Sequence, residues 1–255
     1  MWRYVESSVR GTSHGATGAP CQDYCVSRVF QTPGGPVLAV AVADGAGSAA
    51  LSDVGAWLAA ETFVERAEAV FRTGEIVTTE PLYDYAHARV VAEAEARGVA
   101  PRELACTLLS AVVGRDWAVF AQVGDGAIVF DGRGGLQLAF WPDNGEYANT
   151  TRFLTDADYP RHVKVERLNQ PVAELAVLTD GIQMLALDYT NACVHAAFFT
   201  PMFRTLGHAT DLDALKSSLA AFLDSPRVNG RTDDDKTLFL ATRAPGLADA
   251  ADPPA

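Results

Sequence analysis

Four Asp-Gly pairs punctuate the sequence, at Asp44-Gly45, Asp125-Gly126, Asp131-Gly132 and Asp180-Gly181, and an acidic run, Asp233-Asp234-Asp235, stands just ahead of the last apolar stretch. Asp-Gly is a strong hairpin signal because both residues tolerate positive φ, so a turn is the first explanation to apply. It accounts for Asp131-Gly132, between the strand-like runs AIVF and LQLAF, as a plain turn. Asp125-Gly126, between WAVFAQV and AIVF, also reads as a turn, and any metal role there is an addition. Asp44 and Asp180 differ, since each ends an apolar run (VLAVAVAD, AELAVLTD) and is followed by a helical pattern. A hairpin does not explain them.

In antiparallel sheets the start of one strand lies beside the ends of its neighbours. The acids ahead of TLFLAT can therefore meet Asp44 and Asp180 at one edge. Carboxylates gathered in this way repel each other unless cations sit among them, and an oxygen-only set without His or Cys partners favours hard ions such as Mg²⁺ or Mn²⁺. Two such ions ~3.5–4 Å apart can hold a bridging water and polarise a phosphoryl group for in-line attack. A competing reading starts from GAGSAA at 45–50, which fits a dinucleotide-binding loop. That fingerprint needs a second parallel strand with an acidic end some ~20 residues on, whereas two helical patterns follow here, and Asp44 would repel the pyrophosphate.

The elements that must position these residues follow from periodicity. Strand alternation marks WRYVESSVR, YCVSRVF and VLAVAVA. Apolar positions then recur at helical spacing from about Asp53 to Phe71, and a second helix is expected over Pro81 to Ala96. Strand runs follow at ACTLLSAVV, WAVFAQV, AIVF, LQLAF, HVKVERL and LAVLT, then helical stretches near 182–188 and 211–224, then the strand TLFLAT. This order lacks the regular strand-helix alternation of a parallel sheet and fits an antiparallel sandwich flanked by helices.

With 255 residues, 49% hydrophobic, the chain can build a sizeable core. Its 32 acidic against 20 basic residues, a formal charge of -12, exclude a nucleic-acid partner held through a basic surface. No apolar run approaches the ~20 residues that span a bilayer, so no membrane partner is expected, and the N-terminus lacks a secretory pattern. A cytoplasmic protein is expected. Cys21, Cys25, Cys106 and Cys193 have no paired zinc spacing and read as free thiols. The tail from Ala244 to Ala255 reads as disordered.

The ordered set Gln22-Asp23, Asp44-Gly45-x-Gly47, Cys106-Thr107, Gly124-Asp125-Gly126, Thr179-Asp180-Gly181 and Asp234-Asp235-x-Thr237 resembles the metal-dependent protein phosphatases of the 2C type. The resemblance implies an α+β fold, a four-layer α-β-β-α sandwich with two central antiparallel sheets, filling residues 1–243 as one catalytic domain. It implies hydrolysis of phosphoserine or phosphothreonine in proteins by a water bridging two Mg²⁺ or Mn²⁺ ions. Asp44 would bridge both ions and the Gly45 carbonyl would complete one shell. Asp180 and Asp234 would bind the first ion, Asp23 would hold metal-bound water, and Asp125 would support a third, weaker ion. The partners implied are a phosphorylated Ser/Thr protein and a cognate Ser/Thr kinase.

The chain departs from the family pattern at three places. Gly11-Thr12-Ser13-His14 ends in histidine where the family places the arginine that clamps phosphate, so His14 is the candidate for that contact, with a single-point donor in place of a fork. Gln22 replaces a usual Glu. Ala46 stands where animal-type members carry a proton-donating His. Residues 143–159 occupy the place of the family's mobile flap and are a candidate for specificity. The alternative function is a non-catalytic phosphatase-like domain that binds phosphoproteins.

Overall fold

The computed structural model describes residues 1–73, 78–132, 134–141 and 151–243. The tail 244–255 and residues 143–150 of the polar insert lie outside them. Twelve strands are described: β1 (Trp2–Val9), β2 (Tyr24–Thr32), β3 (Gly35–Ala43), β4 (Leu108–Val113), β5 (Ala118–Val123), β6 (Ala127–Gly132), β7 (Gly135–Leu138), β8 (Lys164–Leu168), β9 (Glu174–Leu178), β10 (Leu187–Asp188), β11 (Cys193–Val194) and β12 (Lys236–Arg243). The helices are α1 (Thr12–Thr17), α2 (Ser52–Phe71), α3 (Glu80–Arg97), α4 (Gln183–Ala186), α5 (Ala196–His208), α6 (Leu212–Leu223) and α7 (Pro226–Asn229).

Ten of the strands form two five-stranded sheets in the orders β1-β12-β9-β6-β7 and β2-β3-β4-β5-β8, and every pairing in them is antiparallel. The expected α-β-β-α sandwich follows from what each sheet face buries. Alternate residues of β3, such as Leu38, Val40 and Val42, point at the other sheet and meet Phe120, Phe130, Val177 and Phe239 in the central layer. Their neighbours Ala39, Ala41 and Ala43 face the opposite way, under Phe63, Val64 and Ala67 of α2. Beyond the other sheet, Phe199, Phe203 and Leu206 of α5, spaced four and three apart, cover Val5, Ala176 and Leu240.

β3 is apolar on both faces because each face is covered, which is why it reads as a continuous run rather than an alternation. Small alanines on the helix side let α2 lie close. Among the described residues no helix is long and apolar enough to cross a membrane.

Three expectations need correction. Asp125-Gly126 is a turn, but it closes no hairpin: β5 lies in one sheet and β6 in the other, so the turn carries the chain across the sandwich. Asp131-Gly132 does belong to a hairpin, with Gly132 opposite Gly135. Residues 196–208, which no periodic reading marked, form α5, although Pro201 sits inside it. Finally, the loop around His14 contains a short helix, α1, stopped by Gly18 at φ +77.

Candidate metal centre

The two sheets end together at one rim of the sandwich, and the rim holds a cavity of about 360 Å³ lined by His14, Asp44, Asp125, Asp180, Asp233 and Asp234, among others. One sheet brings Asp44, just past β3. The other brings Asp180, just past β9, and Asp234, just ahead of β12. The antiparallel pairing of β9 with β12 sets Leu178 opposite Leu238, which puts the end of one strand beside the start of the next. Asp125 arrives on the connection that crosses between the sheets.

Backbone contacts fix the Asp44 corner. The Asp44 N–H donates to Thr107 Oγ1 at 2.9 Å, and the Thr107 N–H donates back to the Asp44 carbonyl at 2.8 Å. Gly45 then donates to the Gln22 carbonyl at 3.1 Å. A Cβ on Gly45 would stand 2.8 Å from that carbonyl and from Ser52 Cβ, so the close packing of β3 on the start of α2 requires glycine. The same holds for Gly181, where a Cβ would collide with the Asp235 carbonyl.

Asp23 stands behind the pocket wall. It is buried, and its Oδ2 accepts from Thr179 Oγ1 at 2.7 Å, while its Oδ1 has no partner. Asp125 receives the Thr151 hydroxyl at 2.6 Å, and its carbonyl accepts from Gln183 Nε2. Asp234 Oδ1 accepts the Asp235 N–H at 2.8 Å.

Electrostatics at this rim are those of a site short of positive charge. Burial, and then the neighbouring Asp125 and Asp234 charges, push Asp180 up to about 6. Burial and the charges of Asp23 and Asp180 hold Asp44 well above the usual carboxylate range. Asp23 is raised for the same reasons, burial first, although its Thr179 hydrogen bond opposes the shift. Asp180 Oδ1 is buried without a partner. Raised pKa values and orphaned carboxylate oxygens together fit a set of oxygen donors suited to a cation. No Lys or Arg is among the described residues lining the cavity.

Among the described residues no group of three or more His, Cys, Asp or Glu forms a ready ligand cage. The carboxylates are spread around the cavity instead of being pinched onto one point. That spacing suits Mg²⁺-like ions, which take one or two carboxylates and keep several waters.

Sequence reasoning placed Asp235 in the acidic run and in the Asp234-Asp235-x-Thr237 motif but gave it no role of its own. Its buried carboxylate accepts the Gly11 N–H at 2.6 Å and the Gln22 N–H at 2.5 Å, and it lies 2.9 Å from His14 Nδ1. The latter contact lacks hydrogen-bond alignment. The neighbour that could have signalled it is Lys236, buried and tied to Asn229 at 2.8 Å, since a buried lysine at a strand start marks the chain there as turned inward. Thr107 and Thr179 belonged to the motifs, but their roles as backbone and carboxylate partners emerge only in three dimensions. Ala46 lines the cavity and offers no proton donor.

The family model for protein phosphatase 2C matches residues 10–224. The chain belongs to the protein phosphatase 2C family. It is 41% identical over 247 residues to Serine/threonine-protein phosphatase 3 of Escherichia coli (strain K12), covering 94% of this chain and 98% of that one. Among solved structures, the catalytic domain of the serine threonine protein phosphatase PstP in complex with 2 manganese ions superposes with a TM-score of 0.64 at 16% identity, over 96% of this chain and 99% of that one. The serine/threonine phosphatase Stp1 from Staphylococcus aureus gives 0.61 at 14% identity, over 96% of each chain. These structures share the protein phosphatase 2C fold seen here. The dinucleotide reading of GAGSAA falls with the antiparallel topology, because α2 and α3 follow the loop in succession with no strand between them among the described residues.

Proposed function

We propose that this chain is a metal-dependent protein phosphatase that hydrolyses phosphoserine and phosphothreonine monoesters, with residues 1–243 as the catalytic domain. The observation that carries the reading is the rim where Asp44 and Asp180, from opposite sheets, share a buried cavity with unsatisfied carboxylate oxygens and raised pKa values. A domain that only binds phosphoproteins gains nothing from carboxylates kept at such cost.

In this reading Asp44 would hold both of two Mg²⁺ or Mn²⁺ ions, the Gly45 carbonyl would complete the shell of the second, Asp180 and Asp234 would hold the first, and Asp125 with Asp180 would hold a third, weaker ion. When bound, the ions supply Lewis acidity, giving a nucleophile from water at neutral pH and withdrawing electron density from the phosphoryl group. Thr107 keeps Asp44 from swinging away by holding its backbone from both directions. Asp23 acts from behind the wall, orienting water through the pocket edge while Thr179 fixes its carboxylate. His14 lines the cavity with Nδ1 2.9 Å from the Asp235 carboxylate, which leaves Nε2 to contact a phosphoryl oxygen or to deliver a proton to the departing serine or threonine oxygen. That oxygen needs a proton, and Ala46 has none to give. The substrate protein would be phosphorylated by a Ser/Thr kinase in the same compartment, which we take to be the cytoplasm.

The test is hydrolysis of an aryl phosphate and of a phosphothreonine peptide by purified protein. Activity should require Mn²⁺ or Mg²⁺, vanish with chelator and return on adding metal. Turnover unaffected by chelator, or none with any divalent ion, would overturn the reading. His14→Ala should raise KM for the phosphopeptide; an unchanged KM removes the phosphate contact assigned to His14.

A further inference from the structure

Apart from the acidic cavity there is a recess, walled mainly by apolar side chains with Gln137 and Cys193 among them, that has no part in the chemistry described above. The two are joined by a short line of side chains. Gln183, at the start of α4, donates from Nε2 to the Asp125 carbonyl in the cavity wall and accepts from the Tyr189 hydroxyl at 2.9 Å. Tyr189 meets Trp141 edge to face, with ring centroids 5.6 Å apart. Trp141 walls a recess of about 330 Å³ together with Leu136 and Leu138 of β7 and Val194 of β11. β7 is the outermost strand of its sheet, so the recess opens at the side of the sandwich and not into its core.

Large apolar side chains line this path in the open. Met184 is 74% exposed and Tyr189 37%, two of the five large apolar residues left exposed among the described residues. The helix that carries Met184 begins directly after the Asp180 turn, so the methionine follows Gln183, the residue that bonds the cavity wall. Methionine and aromatic side chains are the types that fill adaptable binding surfaces, because methionine is flexible and polarizable and aromatic rings offer large apolar area. The recess volume is at the low end of the roughly 300–1,000 Å³ of small-molecule sites, which suits one large side chain.

We propose that Met184, Tyr189 and Trp141 form a substrate subsite that receives an apolar side chain of the phosphoprotein, at a residue a few positions from the phosphorylated Ser or Thr. The occupant is a segment of the phosphoprotein substrate because the path starts at the cavity wall, at Asp125, and a chain whose phosphate sits in the cavity must leave over its rim. An apolar residue is selected there because acidic Asp125 and Asp188 flank the path and would repel an acidic one, while the recess offers an uncharged wall. This identification of the occupant rests on the phosphatase reading.

The experiment is a phosphothreonine peptide series in which Leu or Ser is placed at each position from five before to five after the phosphorylated residue. Binding is read by anisotropy of labelled peptide and hydrolysis by phosphate release with Mn²⁺. Leu at one position should bind and react with about tenfold lower Kd and KM than Ser there, equivalent to about 1.4 kcal/mol. Trp141→Ala and, independently, Met184→Ser should collapse that Leu/Ser ratio towards one, a change that general destabilisation would not produce, since it would lower both peptides alike. Hydrolysis with a Leu/Ser ratio near one at every position, or a ratio unchanged in both variants, overturns the subsite and leaves the phosphatase reading standing. Binding that depends on Leu and on Trp141 without any hydrolysis supports the subsite and counts against the phosphatase reading.

Discussion

Asp180 concentrates the physics of the pocket in one side chain. Its carboxyl is raised to about 6 by burial and by Asp125, above the usual ~3.9. Between those pH values the folded chain keeps a proton that the unfolded chain has released, so the metal-free protein loses stability as pH climbs from ~4 to ~6 and levels off above. Melting curves without metal should therefore show a lower Tm at pH 7 than at pH 5, and Asp180→Asn should flatten the fall. Mn²⁺ binds the ionised carboxylates, so its stabilising increment should be larger at pH 7 than at pH 5; equal increments would show that these groups do not hold the ion. In catalysis, Asp44→Asn removes part of a contribution of several kcal/mol, so phosphate release should fall by about 10³-fold or more at 1.36 kcal/mol per decade. Thr107→Val leaves the carboxylates in place and removes their brace; loss of such a partner costs about 10–100-fold in metal affinity or activity, readable by titrating Mn²⁺ against rate.

At the scale of elements, the first turn of the chain is tied to its last strand. Asp235, one residue ahead of β12, receives the Gly11 and Gln22 amides that bracket the α1 loop. Hydrogen bonds to a charged group are worth about 1.5–3 kcal/mol each, so losing the two in Asp235→Ala should lower stability by about 3–6 kcal/mol in urea unfolding. Faster amide exchange at Gly11 and Gln22 should accompany it; unaltered protection there would contradict the tie. The long strands and the helices α2 and α3 were legible because each combines a clean period with a clear start or stop. Helix α5 was not, since Pro201 interrupts its pattern and its core side is marked only by Phe199, Phe203 and Leu206. The crossing at Asp125-Gly126 was hidden for a different reason: a turn between two strands looks the same locally whether the strands pair or part to separate sheets. Asp234 and Asp235 present the same problem at one-residue resolution. Which of two adjacent acids faces the cavity and which holds the loop depends on strand register, and the sequence shows only that both are present.

For the molecule as a whole, the order of motifs carried the family and most of the candidate site, because strand ends that an antiparallel arrangement gathers are visible as acids at the tips of apolar runs. What it did not carry was the depth of each group, such as Asp23 behind the wall. An acidic surface of net charge -12 gains from divalent ions beyond the chemistry they perform. A ligand at 100 times its Kd stabilises by about 2.7 kcal/mol, so saturating Mn²⁺ should raise Tm measurably and chelator should reverse it.

The cavity draws Asp44 from one sheet and Asp180 and Asp234 from the other, and the two sides are joined at this rim by the Asp125-Gly126 turn; the distance across is set by that turn and by how the two slabs lie on each other. The layer of Phe120, Phe130, Val177 and Phe239 is thus the spacer that calibrates the jaws. Thinning it with Phe120→Leu should loosen manganese binding as well as lower Tm, whereas Phe203→Leu, beneath the outer helices, should lower Tm and leave manganese affinity alone.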